Sequence, residues 1–418
     1  MRLLWIATKA PWPPRDGGRL LLLETLSALA AQPSDASQVS AAAQRVEVTL
    51  VAPVERSMLD ATREALGGLC VARLVATRPR SRALAAVAAT VSGRPYSVTR
   101  HERPELARAV ARELAASPCD LVVAEQLQAF AQSAPAGQAG VPRILRAQNV
   151  ESDLWRQLGE ASRGLARALL LRESVRLAVA ERAAVGAAAA TIALSAADGD
   201  RLRALGPQSA RVEVLPPPFP GELAGVAQHL AGAPALVLFG SAGWEPNRRA
   251  EQRFVDQIWP RVRAASPAAA LHWFGGSGGS GGHGGSGAGR PGVFVHRAPA
   301  TSAEAFSPGA VLVLPLDIAS GVRMRILEAW ARGVVVVATP AAASGLTAGD
   351  GRELLLARNG EEFAVAIERL GSLPGLAERL IAGGRARLAA DHDPARFAAR
   401  FVALAGQIAA SSGGARHR

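Results

Sequence analysis

Short apolar runs punctuate the chain, each followed by a polar or glycine-rich stretch and then by apolar positions at helical spacing. Residues 3–7 form the first run, a proline- and glycine-rich loop follows to residue 18, and residues 19–30 recur at helical spacing. Further short runs lie at 46–52, 121–124, 143–145, 191–194 and 212–215. Continuous apolar runs bounded by turn residues read as buried strands, and strands alternating with helices predict a parallel sheet. The alanine-rich stretch 178–194 carries Glu181 and Arg182 and reads as a buried helix running into a strand.

Pro216, Pro217, Pro218 and Pro220 end this series, because proline lacks an N–H and fixes the backbone. A second series follows, with strands at 235–239, 270–274, 293–296, 311–314 and 334–338 and a helix at 250–264. Residues 361–381 and 394–408 are helical in pattern and lead into a polar tail. The expected class is α/β with two Rossmann-like domains. Residues 1–217 form the first and 218–394 the second, and the helix and tail of 395–418 return to the first. The stretch from Gly275 to Gly289 has the composition of a flexible linker. It is too long and repetitive for a phosphate-binding loop and reads as a surface expansion, with His283 incidental to it.

Composition adds limits. The 418 residues, 49% hydrophobic and 20% charged, suit about two or three globular domains. A formal charge of +12 suggests nucleic acid, but Lys9 is the only lysine, the rest being arginine in an alanine-rich chain. That is the mark of GC-rich coding. With 4% aromatics and no basic run interleaved with stacking residues, nucleic acid is not expected as a partner. The charge is compatible with phosphorylated substrates and with an anionic membrane surface. Cys70 and Cys119 make no metal site and read as reduced thiols. There is no secretory signal and no run of about 18 apolar residues. A cytoplasmic protein is expected, at most peripheral to the inner membrane face.

The chemistry concentrates in residues 320–345, SGVRMRILEAWARGVVVVATPAAASG. The strand at 311–314 feeds a loop, the loop opens a helix containing Glu328, Gly333 stops it, and valines begin the next strand. Ligands of open parallel sheets sit beyond the carboxyl ends of the strands. A helix start offers free amides to an anion, and Arg323 and Arg325 add guanidinium groups suited to diphosphate oxygens. Positions two apart on a helix diverge, so one arginine is expected to face the ligand. Glu328 can accept hydrogen bonds from a ribose diol. On spacing alone, that reading stands level with an ordinary amphipathic helix bearing a solvated Arg–Glu pair.

This segment resembles the donor-site signature of family 4 (group 1) retaining glycosyltransferases of the GT-B fold. The matching run is Gly321-Val322-Arg323-Met324-Arg325-Ile326-Leu327-Glu328-Ala329-Trp330-Ala331-Arg332-Gly333, followed by Val336-Val337-Ala338-Thr339. FGSAGWEPNRRAEQRFVDQIWPRV from Phe239, AQNVESDLW from Ala147 and APWPPRDGGR from Ala10 are similar to other parts of the family in order. The departures are Ser320 for a glutamate, Arg325 for lysine and Gln148 for the histidine of His-Asn-Val-Glu-Ser. Pro216-Pro217-Pro218 stands for Pro-Asn-Gly, and Ser241 and Asn247 stand for a basic pair.

The resemblance implies two facing domains with the active site in the interdomain cleft, the first on the acceptor side and the second on the donor side. It implies a metal-independent transfer of a hexose from a nucleoside diphosphate sugar, the co-substrate, with retention and with no other cofactor. The acceptor would be a glycan, a lipid-linked sugar or a small molecule in cell-surface polysaccharide or glycoconjugate synthesis. Gln148 and Arg323 take the catalytic positions. Gly17, Gly18, Ser241, Asn247, Ser320, Gly321, Arg323, Arg325 and Glu328 take the donor-binding ones. Gly17 and Gly18 also fit a plain tight turn. The alternative is a catalytically degenerate GT-B protein serving as a partner or binding module. A sugar epimerase or oxidoreductase is disfavoured because no G-x-G-x-x-G follows residues 3–7.

Overall fold

The structure, a computed structural model, describes residues 1–31, 46–77, 80–224, 229–239, 245–275, 290–299 and 301–416. The chain divides into two compact units, Met1–Pro218 with Pro394–Arg418, and Phe219–Asp393. Most of the glycine tract, 276–289 with His283, lies outside the described residues, as does Ser241.

The first unit holds strands β1 (Arg2–Ile6), β2 (Glu47–Val54), β3 (Val71–Ala76), β4 (Leu121–Glu125), β5 (Arg143–Ala147), β6 (Ala190–Ala193) and β7 (Val212–Val214). They form one sheet in the order β3-β2-β1-β4-β5-β6-β7, and every pairing is parallel. Successive side chains point to opposite faces. Leu3, Trp5 and Val123 therefore pack in one core layer, and Leu4, Ile6 and Val122 in the other. Both faces of the central strands are covered, so their apolar runs are continuous rather than alternating.

One of the covering elements is the C-terminal helix Pro394–Arg416, beside helix Gly17–Ala30. Phe401 is fully buried and stacks on Trp5 with ring centroids 5.6 Å apart, with Phe397 stacked on it at 5.9 Å. The helix continues through the stretch expected to be a polar tail, as far as Arg416.

The second unit repeats the plan with β8 (Ala235–Phe239), β9 (Ala270–Phe274), β10 (Val293–His296), β11 (Val311–Leu314), β12 (Val335–Ala338) and β13 (Leu355–Leu356). Their order is β10-β9-β8-β11-β12-β13, again parallel. In each sheet the chain moves outward in one direction, then returns to the first strand and continues on its other side. This is the dinucleotide-binding order, with reversals at β1/β4 and β8/β11.

The helix expected at 250–264 is broken in three: Glu245–Arg253, a π turn at Phe254–Ile258, and Trp259–Ala265. Pro260 is the cause, since it has no N–H to continue the α ladder and the wider turn absorbs the gap. The segment expected at 361–381 is two helices, Gly360–Ser372 and Leu376–Asp391, parted at Gly375 with φ +74°. Cys70 and Cys119 form no disulfide and are half-buried, and burial pushes the Cys70 thiol up to about 12. Among the described residues no helix is long and apolar enough to cross a membrane.

Phe401→Ala is expected to destabilise the first unit by about 3–5 kcal/mol through loss of the ring and the cavity left against Trp5. The urea midpoint measures it, and a loss within the about 0.5 kcal/mol typical of surface positions would show that the helix is not part of this core.

Candidate functional site

Both strand-order reversals gather chemistry-bearing residues at carboxyl ends. In the first unit β1 leads into the loop that ends at Asp16, which caps helix Gly17–Ala30 by accepting from the Arg19 N–H at 3.0 Å. Burial alone would raise the Asp16 pKa, but Lys9 at 3.2 Å and Arg19 hold it below the usual value.

Gln148 stands one residue beyond β5. Its Nε2 donates to Glu125 Oε1 at 2.9 Å and its Oε1 accepts from Gln126 Nε2 at 2.5 Å. Gly18 lies directly over it: a Cβ there would fall 2.8 Å from Gln148 Oε1. The structure thus brings Gly18 and Gln148 together. Gln126 follows β4 with φ +72°, the one positive φ at a non-glycine among the described residues. Such strain persists where surrounding contacts over-determine it.

Beneath Gln148 lies a buried network that sequence reasoning missed. Glu125 ends β4 at 3% exposure and accepts from Arg146 Nη1 at 2.7 Å and from Trp5 Nε1 at 3.0 Å. Arg146 is fully buried, donates to Thr25 Oγ1 at 3.0 Å and leaves its Nε unpaired. Burial lowers the Arg146 pKa and Glu125 opposes that shift. The available signal was a glutamate and an arginine directly after apolar runs, since such residues are almost never fully buried unless paired.

Glu181 holds the next helix, Glu151–Glu160, by its first turn. It accepts from the backbone N–H of Glu151 at 2.6 Å and of Ser152 at 3.2 Å, and from the Ser152 hydroxyl. Burial lifts its pKa to about 7, despite those hydrogen bonds, and the nearby Glu151 carboxylate adds to the rise.

In the second unit β11 leads through residues 315–323 into helix Met324–Ala331. Gly321 takes φ +73°, a conformation that L side chains rarely adopt, and a Cβ on Gly345 would collide with the Gly321 carbonyl. Thr339, at the end of β12, donates to the Leu316 carbonyl, and Arg253 bonds the Pro315 carbonyl at 3.1 Å and Asp317 at 2.8 Å, so the loop is tied at three points. Ser320 is buried, and Arg323, the N-cap residue, turns its guanidinium back to the Ser320 carbonyl.

Glu328 is 2% exposed. Its carboxylate pairs with Arg325 at 2.7 Å and Arg332 at 3.3 Å and accepts from the Ser302 hydroxyl. The Arg325 guanidinium also lies over the Phe239 ring, 4.6 Å from its centroid, where β8 ends. The Arg–Glu pair is therefore buried rather than solvated. Arg323 and Arg325 point to different partners, as their two-residue spacing requires. Sequence reasoning missed Arg332, although Glu328 and Arg332 stand at the i,i+4 spacing of helix pairs. Asn247 is half-buried in the first turn of helix Glu245–Arg253. Among the described residues no group of three or more His, Cys, Asp or Glu could hold a metal ion.

Two parallel α/β domains of Rossmann type with these strand orders define the GT-B fold, and solved structures agree. Sucrose-phosphate synthase from Thermosynechococcus elongatus matches with a TM-score of 0.68 at 16% identity over 98% of this chain and 100% of that one. HepE of Anabaena, solved in complex with UDP, matches at 0.63 with 13% identity over 97% and 100%. A UDP-N-acetylglucosamine 2-epimerase, so described, from Listeria monocytogenes matches at 0.51 with 12% identity over 96% and 94%. Within the second unit, residues 233–373 match the family model of the glycosyl transferases group 1. No curated protein matches the sequence.

An acid whose pKa is raised by folding stabilises the protein below its unfolded value and loses that contribution as pH rises through its folded value. Stability is therefore expected to fall between about pH 4.5 and 7 through Glu181. Glu181→Gln keeps one acceptor for the helix start and should flatten this slope in urea midpoints measured across the range. An identical slope in both proteins would remove Glu181 as its source.

Proposed function

We propose that the protein is a retaining glycosyltransferase that moves a hexose from a nucleoside diphosphate sugar to a glycan, lipid-linked or small-molecule acceptor. The observation that carries this reading is the Arg325–Glu328–Arg332 cluster beside the β11 loop. It sits at the strand-order reversal of the second sheet, inside the stretch that matches the group 1 glycosyl transferases. HepE, solved in complex with UDP and with UDP-glucose, has the same fold.

In this reading the start of helix Met324–Ala331, with Arg323 and Arg325, takes the diphosphate. These groups offset the charge that develops on the leaving group, so no metal is required. Glu328 accepts from a ribose hydroxyl. A carboxylate has about four lone-pair sites, so three protein donors leave one for ligand. Gly321 and Ser320 line the loop, and Asn247 lies in the helix that follows β8. The acceptor oxygen bonds to the anomeric carbon on the face that the diphosphate leaves, and its proton passes to the departing phosphate oxygen. Gly17, Gly18 and Gln148 supply the corresponding groups of the first unit. The protein is cytoplasmic and serves cell-surface polysaccharide or glycoconjugate synthesis.

The degenerate reading has one observation in its favour: both ends of the Gln148 amide are already engaged. Gln148 cannot gain charge near neutral pH as an imidazole can.

Glu328→Gln should weaken binding of UDP or another nucleoside diphosphate by about 1–3 kcal/mol in calorimetry. Undiminished affinity with the fold intact would sink the assignment of Glu328. Gln148→His separates the two readings. Substantial wild-type transfer with no gain from the histidine supports an ordinary enzyme. A gain above about tenfold, or about 1.4 kcal/mol of barrier, marks a weakened site. Absence of transfer by both forms across a broad donor and acceptor panel supports the binding module.

A further inference from the structure

Helix Arg82–Ser92 is built the wrong way round for a soluble domain. It turns Ala85 and Ala89 into the protein and leaves Leu84, Val87 and Val91 at 66%, 63% and 85% exposure. The three large residues recur at i, i+3 and i+7 and so form one stripe, on the side opposite the alanines. Ordinary surface helices bury their larger apolar groups.

The long helix Gly164–Ala187 shows the same departure. Leu177, Ala184 and Val185 face the core, yet Leu165, Leu169 and Val179 are exposed. A helix apolar on both faces normally has a partner on both. The two helices belong to one region of the first unit. Helix Tyr96–His101 follows the first directly, and the Ser97 N–H donates to Glu173 Oε1 of the second at 3.2 Å.

Charge selects the partner. From residue 74 to residue 101 the sequence has no aspartate or glutamate but has arginines at 78, 80, 82, 94 and 100, of which Arg94 pairs with Glu102. Residues 161–172 likewise hold arginines at 163, 167 and 172 and no acid. The two acids of the long helix, Glu173 and Glu181, are both buried. Among the described residues Arg82, Arg163, Arg167 and Arg172 make no ion pair with an acid.

We propose that these two helix faces dock on an anionic lipid bilayer. Their leucines and valines would enter the headgroup boundary and their arginines would meet lipid phosphates. On the long helix Leu165, Leu169 and Arg172 recur at i, i+4 and i+7 and all are exposed, so an apolar stripe runs into a cation, which is the composition of an interfacial helix. A second copy of the chain fits less well, because a two-fold interface opposes each patch to itself and would face arginine with arginine. The proposal does not depend on glycosyl transfer.

Co-sedimentation of the full chain with vesicles tests it. The probes are vesicles of phosphatidylcholine alone and of phosphatidylcholine with about 30% phosphatidylglycerol, in low and high salt. Wild-type protein should pellet with the anionic vesicles and be released as salt screens the arginines. Leu84→Gln/Val87→Gln/Val91→Gln should lower that partitioning at least about tenfold. The separate variant Leu165→Gln/Leu169→Gln should lower it too. Both should keep the wild-type urea midpoint, because the residues replaced are exposed. Wild-type protein that stays in the supernatant with anionic vesicles overturns the proposal. So does equal binding to neutral vesicles, or unaltered binding by both variants. A wild-type dimer in light scattering that the triple variant converts to monomer would also overturn it, by showing that a second copy covers the face.

Discussion

A parallel strand cannot hairpin into its neighbour. Each must be followed by a crossover that returns the chain to the starting edge, so every carboxyl end emerges on the same side. When the order of addition reverses, the loops on either side of the reversal lead away from each other and leave a crevice. Both candidate sites arise from this constraint. The loop after β1, Gln126 after β4 and Gln148 after β5 meet at one reversal. The loop after β11 and the end of β8, through Phe239, meet at the other.

At each reversal a buried carboxylate is held by guanidinium groups: Glu125 by Arg146, and Glu328 by Arg325 and Arg332. Buried ion pairs of this kind are weak evidence for stability, because desolvation of both charges offsets their attraction. Their effect is geometric. Glu125 fixes the Gln148 amide from one side while Gln126 fixes it from the other. Glu328 draws Arg325 across the Phe239 ring. Each thus limits the rotamers of a side chain assigned to ligand.

The two sites were unequally legible. Arg325, Glu328 and Arg332 fall within two helical turns, so spacing and the Leu-Glu-Ala run located most of that cluster. The first site assembles Trp5, Thr25, Glu125, Arg146 and Gln148 from segments more than a hundred residues apart, and only the fold brings them together. Core strands were plain because burial on both faces leaves a continuous apolar run. β3 was missed because it lies at the edge of its sheet, half exposed, and β13 because it has two residues. The π turn before Pro260 escaped a reading of apolar spacing, which follows periodicity and not the missing N–H.

The return of helix Pro394–Arg416 to the first unit makes the second unit an insertion within the first. A ribosome therefore completes all of the second sheet before it delivers Phe401 to Trp5. Throughout that interval one face of the first sheet, with Leu3, Trp5 and Ile144 on it, lacks part of its cover. The first unit is the earliest to be made and the last to be finished, and the nascent chain is most open to mispairing and to chaperone capture while its partner domain folds.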